Sequence, residues 1–145
     1  MQGNLAGGLL PRLSAMDPYR RKVRYWDVDA NAHVFNTRYL VYVDDALTDL
    51  LDELGLGHGS EVWDGYLMVL VHTEIDYRTE AVIGETLATT VGVERIGTSS
   101  ITFGFRIVEE ESGRIVAAGK EVYVTVADGD RRPIRVPDQV RSRLG

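Results

Sequence analysis

Between Tyr25 and Tyr39 the chain reads YWDVDANAHVFNTRY, which sets two acids, a histidine, two asparagines and an arginine among aromatic residues. Asp27 and Asp29 form a D-x-D pair, with His33 and Asn36 close behind. A carboxylate can take a proton from water or attack a carbonyl carbon itself. The same residue types have plainer uses, since acids in loops cap helices and brace turns by accepting backbone N–H groups. Asp27, Asp29 and His33 also make a candidate set for magnesium or manganese. That set is not favoured. The D-x-D of a phosphatase follows a buried parallel strand, and the preceding YRRKVRYW is too charged for one.

Other elements must hold these residues in place. YRRKVRYWDV reads as a strand running into the motif. From about Thr37 the spacing changes. Leu40, Val43, Leu47, Leu50, Leu51 and Leu54 follow a helical stripe, with the acids mostly off it and Gly55 at the position of a C-terminal cap. The acid pair therefore lies between a strand end and a helix start. The free N–H groups and positive dipole end of a helix suit a carbonyl oxygen that gains charge as a nucleophile adds. Acid plus helix start is enough for acyl-transfer hydrolysis without serine or cysteine, and a thioester is a suitable target because a thiolate leaves readily.

Downstream the pattern has period two. The predicted faces are Leu67, Val69, Val71, Ile75 and Tyr77; then Leu87, Thr89, Val91 and Val93; then Ile101, Phe103, Phe105 and Ile107; and last Val116, Ala118, Val122, Val124 and Val126. Long antiparallel strands with one long helix predict an α+β fold, a curved sheet wrapped on a helix. A short last helix is expected after Pro137. Residues 1–17 read as a flexible lead-in and 18–145 as a single domain.

The formal net charge of -6 argues against a general attraction to nucleic acid. With no cysteine there is no disulfide framework, thiolate metal site or cysteine nucleophile, and a cytoplasmic setting fits. No apolar run approaches the ~20 residues that cross a bilayer, so no membrane partner is expected. His58 reads as solvated loop, and His72 lies opposite the predicted Leu67–Tyr77 face.

The stretch VRYWDVDANAHVFNTRYLVYVDDAL resembles the opening motif of the hotdog-fold acyl-CoA thioesterases, the 4-hydroxybenzoyl-CoA thioesterase-like family. That motif is a strand, then D-x-D-x-x-G-H-V-N-N or a near variant, then a tyrosine on the helix. EIDYRTEAVIGETLATTVGVERIGTSSITFGFRI is similar to the family's central hairpin, VAAGKEVYVTV to its last strand and RPIRVPDQVRSRL to its tail. The resemblance runs from about Tyr19 to Leu144. It implies a hotdog fold, a curved antiparallel β-sheet around one long central helix. It also implies an acyl-CoA substrate and a homodimer or homotetramer with sites at the dimer interface; because no ligand set stands beyond Asp27, Asp29 and His33, no metal is expected, nor any cofactor other than CoA as part of that substrate.

By the same resemblance Asp29 is the catalytic carboxylate, as nucleophile or general base, and the first helical turn supplies N–H groups to the thioester oxygen. Asn36 would orient the water or the carbonyl. Asp27, His33, Tyr39 and Asp44 take supporting roles, Asp27 by bonding loop backbone. Two positions depart from the pattern: Ala32 stands where the family has glycine, and Phe35 where it has the first asparagine of the N-N pair. If the loop needs a positive φ at Ala32, alanine costs about 1 kcal/mol there. Phe35 is expected to narrow or line the acyl pocket.

CoA carries phosphates and the chain is acidic, so local charge must receive them. Arg131, Arg132 and Arg135 cluster after the last strand, Arg95 precedes the IGTSS turn, and Ser99 and Ser100 within that turn also suit phosphate. The plainer reading is a solvated basic tail. Two other functions stay open: hydrolysis of an acyl group on acyl carrier protein, and a non-catalytic acyl-binding module.

Overall fold

The computed structural model describes residues 16–145. Most of the expected lead-in lies outside the described residues, while Met16 already packs against the core. The strands are β1 (Tyr19–Lys22), β2 (Tyr66–Tyr77), β3 (Thr86–Ile96), β4 (Ser100–Glu109) and β5 (Ile115–Ala127). They form one antiparallel sheet in the order β1-β3-β4-β5-β2. The helices are α1 (Arg38–Glu53) and α2 (Asp138–Leu144). Helix α1 buries Tyr39, Tyr42, Val43, Ala46, Leu47 and Leu50, and these share one core with Leu87, Val91, Ile101, Phe103, Phe105 and Ile107 of the sheet. This is the expected α+β architecture, a sheet curled around one long helix.

Helix α1 ends as its sequence predicts. Leu54 is the C-cap and Gly55 takes φ +72°, a conformation open to glycine at little cost. The first strand does not. It stops at Lys22, and Tyr25–Asp27 turn as a short 3-10 helix because the Asp27 carboxylate accepts the Arg24 N–H at 2.8 Å. Helix α2 starts with Pro137 as its extended N-cap, not as its first helical residue, and buries Val140 and Leu144.

The faces of β3 and β4 hold, but those of β2 and β5 need correction. The pairing Phe103↔Glu121 and Phe105↔Gly119 puts Ala117, Gly119, Glu121 and Tyr123 on the helix side of β5. Of the valines predicted to face the core, Val122 and Val124 lie on the other side, while Val116 is fully buried in the core. At Gly119 there is no room for a side chain: a Cβ there would collide with the Glu74 carbonyl oxygen on the neighbouring strand β2 and lie 2.8 Å from the Phe105 ring. In β2 the register shifts between Leu70 and His72, and such an extra residue exchanges the two faces. Ile75 therefore packs against the core beyond the bulge, but before it Met68 does, in place of Leu67 and Val69. Strand β2 has a neighbour on one side only, and Leu70 and Val71 on it are exposed.

No helix among the described residues is long and apolar enough to cross a membrane.

Candidate active site

The loop from Val28 to Val34 doubles back on itself. Val28 bridges Val34, the Asp29 N–H donates to the His33 carbonyl at 2.9 Å, and the Ala32 N–H donates to the Asp29 carbonyl at 3.0 Å. The Asp29 carboxylate accepts the Asn31 N–H at 2.9 Å and is otherwise exposed. Ala32 closes the loop with φ +61°, the left-handed conformation that the glycine of the family pattern takes without strain. The loop then docks on the segment before β3, through Val34 N–H to the Ala81 carbonyl at 2.8 Å and Ile83 N–H to the Ala32 carbonyl at 3.3 Å.

Asp27 is the brace of this loop. It is fully buried, accepts the Arg24 N–H, and is ion-paired with Arg38 at 2.9 Å and Arg21 at 3.2 Å. Burial alone would raise its pKa. The Arg24 N–H, then Arg38 and Arg21, outweigh burial and hold the carboxyl below the ordinary aspartate value. Burial first, and the Asp27 charge second, push the neighbouring Tyr42 hydroxyl well above the usual tyrosine range. Arg38 belongs to the first turn of α1, so this one carboxylate fixes the motif loop to the helix start. The motif pattern itself assigns a role to neither arginine. A signal was present, because a cation in a first helical turn opposes the helix dipole and calls for an acid facing it.

The start of α1 leaves donors free. Thr37 makes no side-chain cap, and the Asn36 and Thr37 N–H groups have no acceptor among the described residues. The Asn36 carbonyl is pinned by the Tyr77 hydroxyl at 2.9 Å. Tyr77 also tilts against Tyr39, ring centres 5.7 Å apart, and the Tyr39 hydroxyl accepts the Ala81 N–H at 3.4 Å. Asp29, His33, Phe35, Asn36, Tyr39 and Tyr77 line one cavity of about 470 Å³. Phe35 is half exposed at its mouth. The His33 ring meets Glu80 at 3.2 Å.

The remaining candidates are not at this cavity within one chain. Asp44 lies two turns along α1, exposed, near Glu121 of β5. Burial, and then the Asp44 charge, raise the pKa of Glu121 against a single long hydrogen bond from Thr73 at 3.4 Å. Arg95, Ser99 and Ser100 sit at the far end of the hairpin of β3 and β4, where Thr125 N–H bonds the Ser99 carbonyl. Strand β3 starts beside the motif loop, so at ~3.3 Å per residue its other end is about 30 Å away. Arg131, with φ +60°, and Arg132 follow β5 at that same far end. No group of three or more potential metal-ligating side chains is found among the described residues.

Residues 23–144 match the sequence model of the thioesterase-like superfamily. The chain is 26% identical over 126 residues to the long-chain acyl-CoA thioesterase FadM of Escherichia coli (strain K12), covering 85% of this chain and 92% of that one. It is 29% identical over 135 residues to the L-carnitine dehydrogenase/betainyl-CoA thioesterase of Rhizobium meliloti (strain 1021), covering 91% of this chain but 27% of that longer protein. Among solved structures it is similar to Slr0204, a 1,4-dihydroxy-2-naphthoyl-CoA thioesterase from Synechocystis, with a TM-score of 0.80 at 21% identity over 88% of this chain and 94% of that one. At that identity the likeness establishes the shared hotdog fold.

Proposed function

The chain belongs to the thioesterase-like superfamily, and from that premise we propose that it hydrolyses an acyl-CoA thioester to the free acid and CoA. The observation that carries this reading is one cavity holding both the exposed Asp29 carboxylate and the open start of α1. The thioester oxygen takes the Asn36 and Thr37 N–H groups as donors, which stabilise the charge it gains. Asp29 then either takes a proton from water as that water adds to the carbonyl carbon, or attacks the carbon itself. In the first case collapse of the tetrahedral species breaks the carbon–sulfur bond and the leaving thiolate takes the proton that Asp29 holds; in the second, loss of the thiolate leaves a mixed anhydride on Asp29, which water cleaves to the free acid, restoring the carboxylate and giving the thiolate its proton. Asn36 orients the incoming group. Asp27 keeps Asp29 and the helix start in register, and His33 and Tyr39 line the walls. The groups named here carry out the reaction without a metal.

The site is completed by a second copy. Strand β2 is a long edge with apolar Leu70 and Val71 exposed, a template for pairing with another chain. Antiparallel pairing of β2 with its copy about a two-fold axis sets the Tyr66 end of one strand beside the Tyr77 end of the other. That arrangement carries the partner's far sheet end, with Arg131 of the partner subunit on it, toward the Asp29 cavity. The far end and Asp44 thereby come into play.

The test is a panel of acyl-CoA thioesters and one acyl carrier protein thioester with a free-thiol readout, together with sedimentation. Turnover of at least one acyl-CoA by a dimer or tetramer supports the reading. Turnover of the carrier-protein thioester alone would redirect it, acyl binding with no turnover of any thioester would leave a binding module, and a fully active monomer at micromolar concentration would remove the shared site.

A further inference from the structure

Two aromatic side chains stand in solvent immediately before the catalytic loop: Tyr25 is 87% exposed and Trp26 is 78% exposed. Neither ring packs on another aromatic ring among the described residues. They border a mainly apolar hollow of about 400 Å³, whose other walls are Lys22, Val23, Arg24, Ile83 and Gly84. Lys22 and Arg24 are exposed and make no ion pair among the described residues, in contrast to Arg20, Arg21 and Arg38, which all do. Flat faces that stack a base, beside free cations that meet phosphate, are the usual parts of a nucleotide platform.

We propose that this hollow receives the adenine nucleotide end of the CoA substrate, with the base on Tyr25 or Trp26 and the phosphates on Lys22 and Arg24. The proposal rests on the acyl-CoA reading and names a part of that site which Arg131 and Arg132 do not supply within one chain.

The position suits the ligand. Trp26 and Asp29 are three positions apart, so their Cα atoms are at most ~11 Å apart. The flexible pantetheine arm of CoA is longer than that, so it can bend from the cavity to the hollow around the loop. The segments that border the two openings are bonded to each other, since Ile83 N–H bonds the Ala32 carbonyl and His33 bridges Val82.

Charge supports the assignment. Among the acids of the adjoining hollow, Glu85 is paired to Arg114 and Glu110 to Arg20, and Glu109 is turned onto Ser112 and backbone N–H groups. Glu111 alone remains open, against the two free cations.

The experiment compares two substrates with the same acyl group, acyl-CoA and acyl-pantetheine, the second lacking the nucleotide. Trp26→Ala and the double variant Lys22→Ala/Arg24→Ala are assayed beside wild type and beside Arg131→Ala/Arg132→Ala. The side chains removed are exposed, and the Arg24 N–H that binds Asp27 is backbone and stays. The expected result is a rise of ~10-fold or more in the ratio of KM for acyl-CoA to KM for acyl-pantetheine in both hollow variants, the scale of a lost base stack. Calorimetry with adenosine 3′,5′-bisphosphate should show binding to wild type and its loss in Trp26→Ala. That readout does not depend on turnover, so nucleotide binding by a chain that hydrolyses no thioester would sink the thioesterase reading and leave the hollow standing. An unchanged ratio, a ratio moved only by the Arg131/Arg132 variant, or a changed oligomeric state in Trp26→Ala would overturn the proposal.

Discussion

Replacing Asp27 by asparagine tests how the motif loop is held. The side chain keeps its shape and loses its charge. In the folded protein that charge is fully buried, accepts the Arg24 N–H at 2.8 Å, and faces Arg38 at 2.9 Å and Arg21 at 3.2 Å. Breaking a fully buried pair by removing one partner costs about 3–5 kcal/mol. The arginine side chains here keep 28% and 33% of their surface, so water takes up part of the loss. A discounted figure is roughly 2–3 kcal/mol, or about 7–10 °C in Tm for a domain of this size. The pH dependence has a definite sign. The folded pKa of Asp27 is lowered, so its contribution is complete above the unfolded value and is lost as pH falls through the folded value. The gap between wild type and Asp27→Asn should be full at neutral pH and close on acidification below ~4. Thermal melts from pH 7 to pH 3 measure it. Equal melting at pH 7, or a gap that widens in acid, would refute the brace.

Three further outcomes are expected. Ala32 holds φ +61°, so Ala32→Gly should relieve about 1 kcal/mol and raise Tm by a few degrees, read in the same melts. Glu121 has a pKa raised by burial and by Asp44, so its ionisation opposes folding as pH rises past the unfolded value; Glu121→Gln should be the more stable protein at pH 8, with the advantage gone near pH 4. Exhaustive chelation should leave thioester turnover intact, and loss that magnesium or manganese restores would return the D-x-D pair to metal chemistry.

The parts of the molecule legible in sequence are those governed by local rules. Helix α1 and Gly55 follow from spacing and capping, and the faces of β3 and β4 from alternation. Strand β5 is ambiguous in sequence because both its sides carry apolar residues, and the choice between them is made by its register against β4 and the close approach of β2 at Gly119. Strand β2 misled because one bulge reverses the alternation, and nothing in LMVLVHT marks where it falls. At the site, the motif drew attention to Asp27, Asp29, Asn36 and Tyr39, which the fold gathers around one loop and one helix start. The site roles of Arg21 and Tyr77 are not legible in sequence because their partners, Asp27 and the Asn36 carbonyl, are fixed by tertiary packing, and Arg38 is marked only by its place in the first helical turn. The far-end basic residues, Arg95, Arg131 and Arg132, lie away from the cavity within one chain because the strands that carry them run the length of the sheet.

The central claim is that the Asp29 carboxylate performs the chemistry at the start of α1. Steady-state kinetics of Asp29→Asn on the best acyl-CoA substrate, with a melt to confirm the fold, test it most directly. Asparagine is nearly isosteric but neither accepts a proton at neutral pH nor attacks well. The account predicts an unchanged Tm, a KM close to wild type and a kcat lower by on the order of 10²–10⁴, the usual worth of a positioned acid–base group. Turnover at the wild-type rate would contradict it and assign the reaction to another residue.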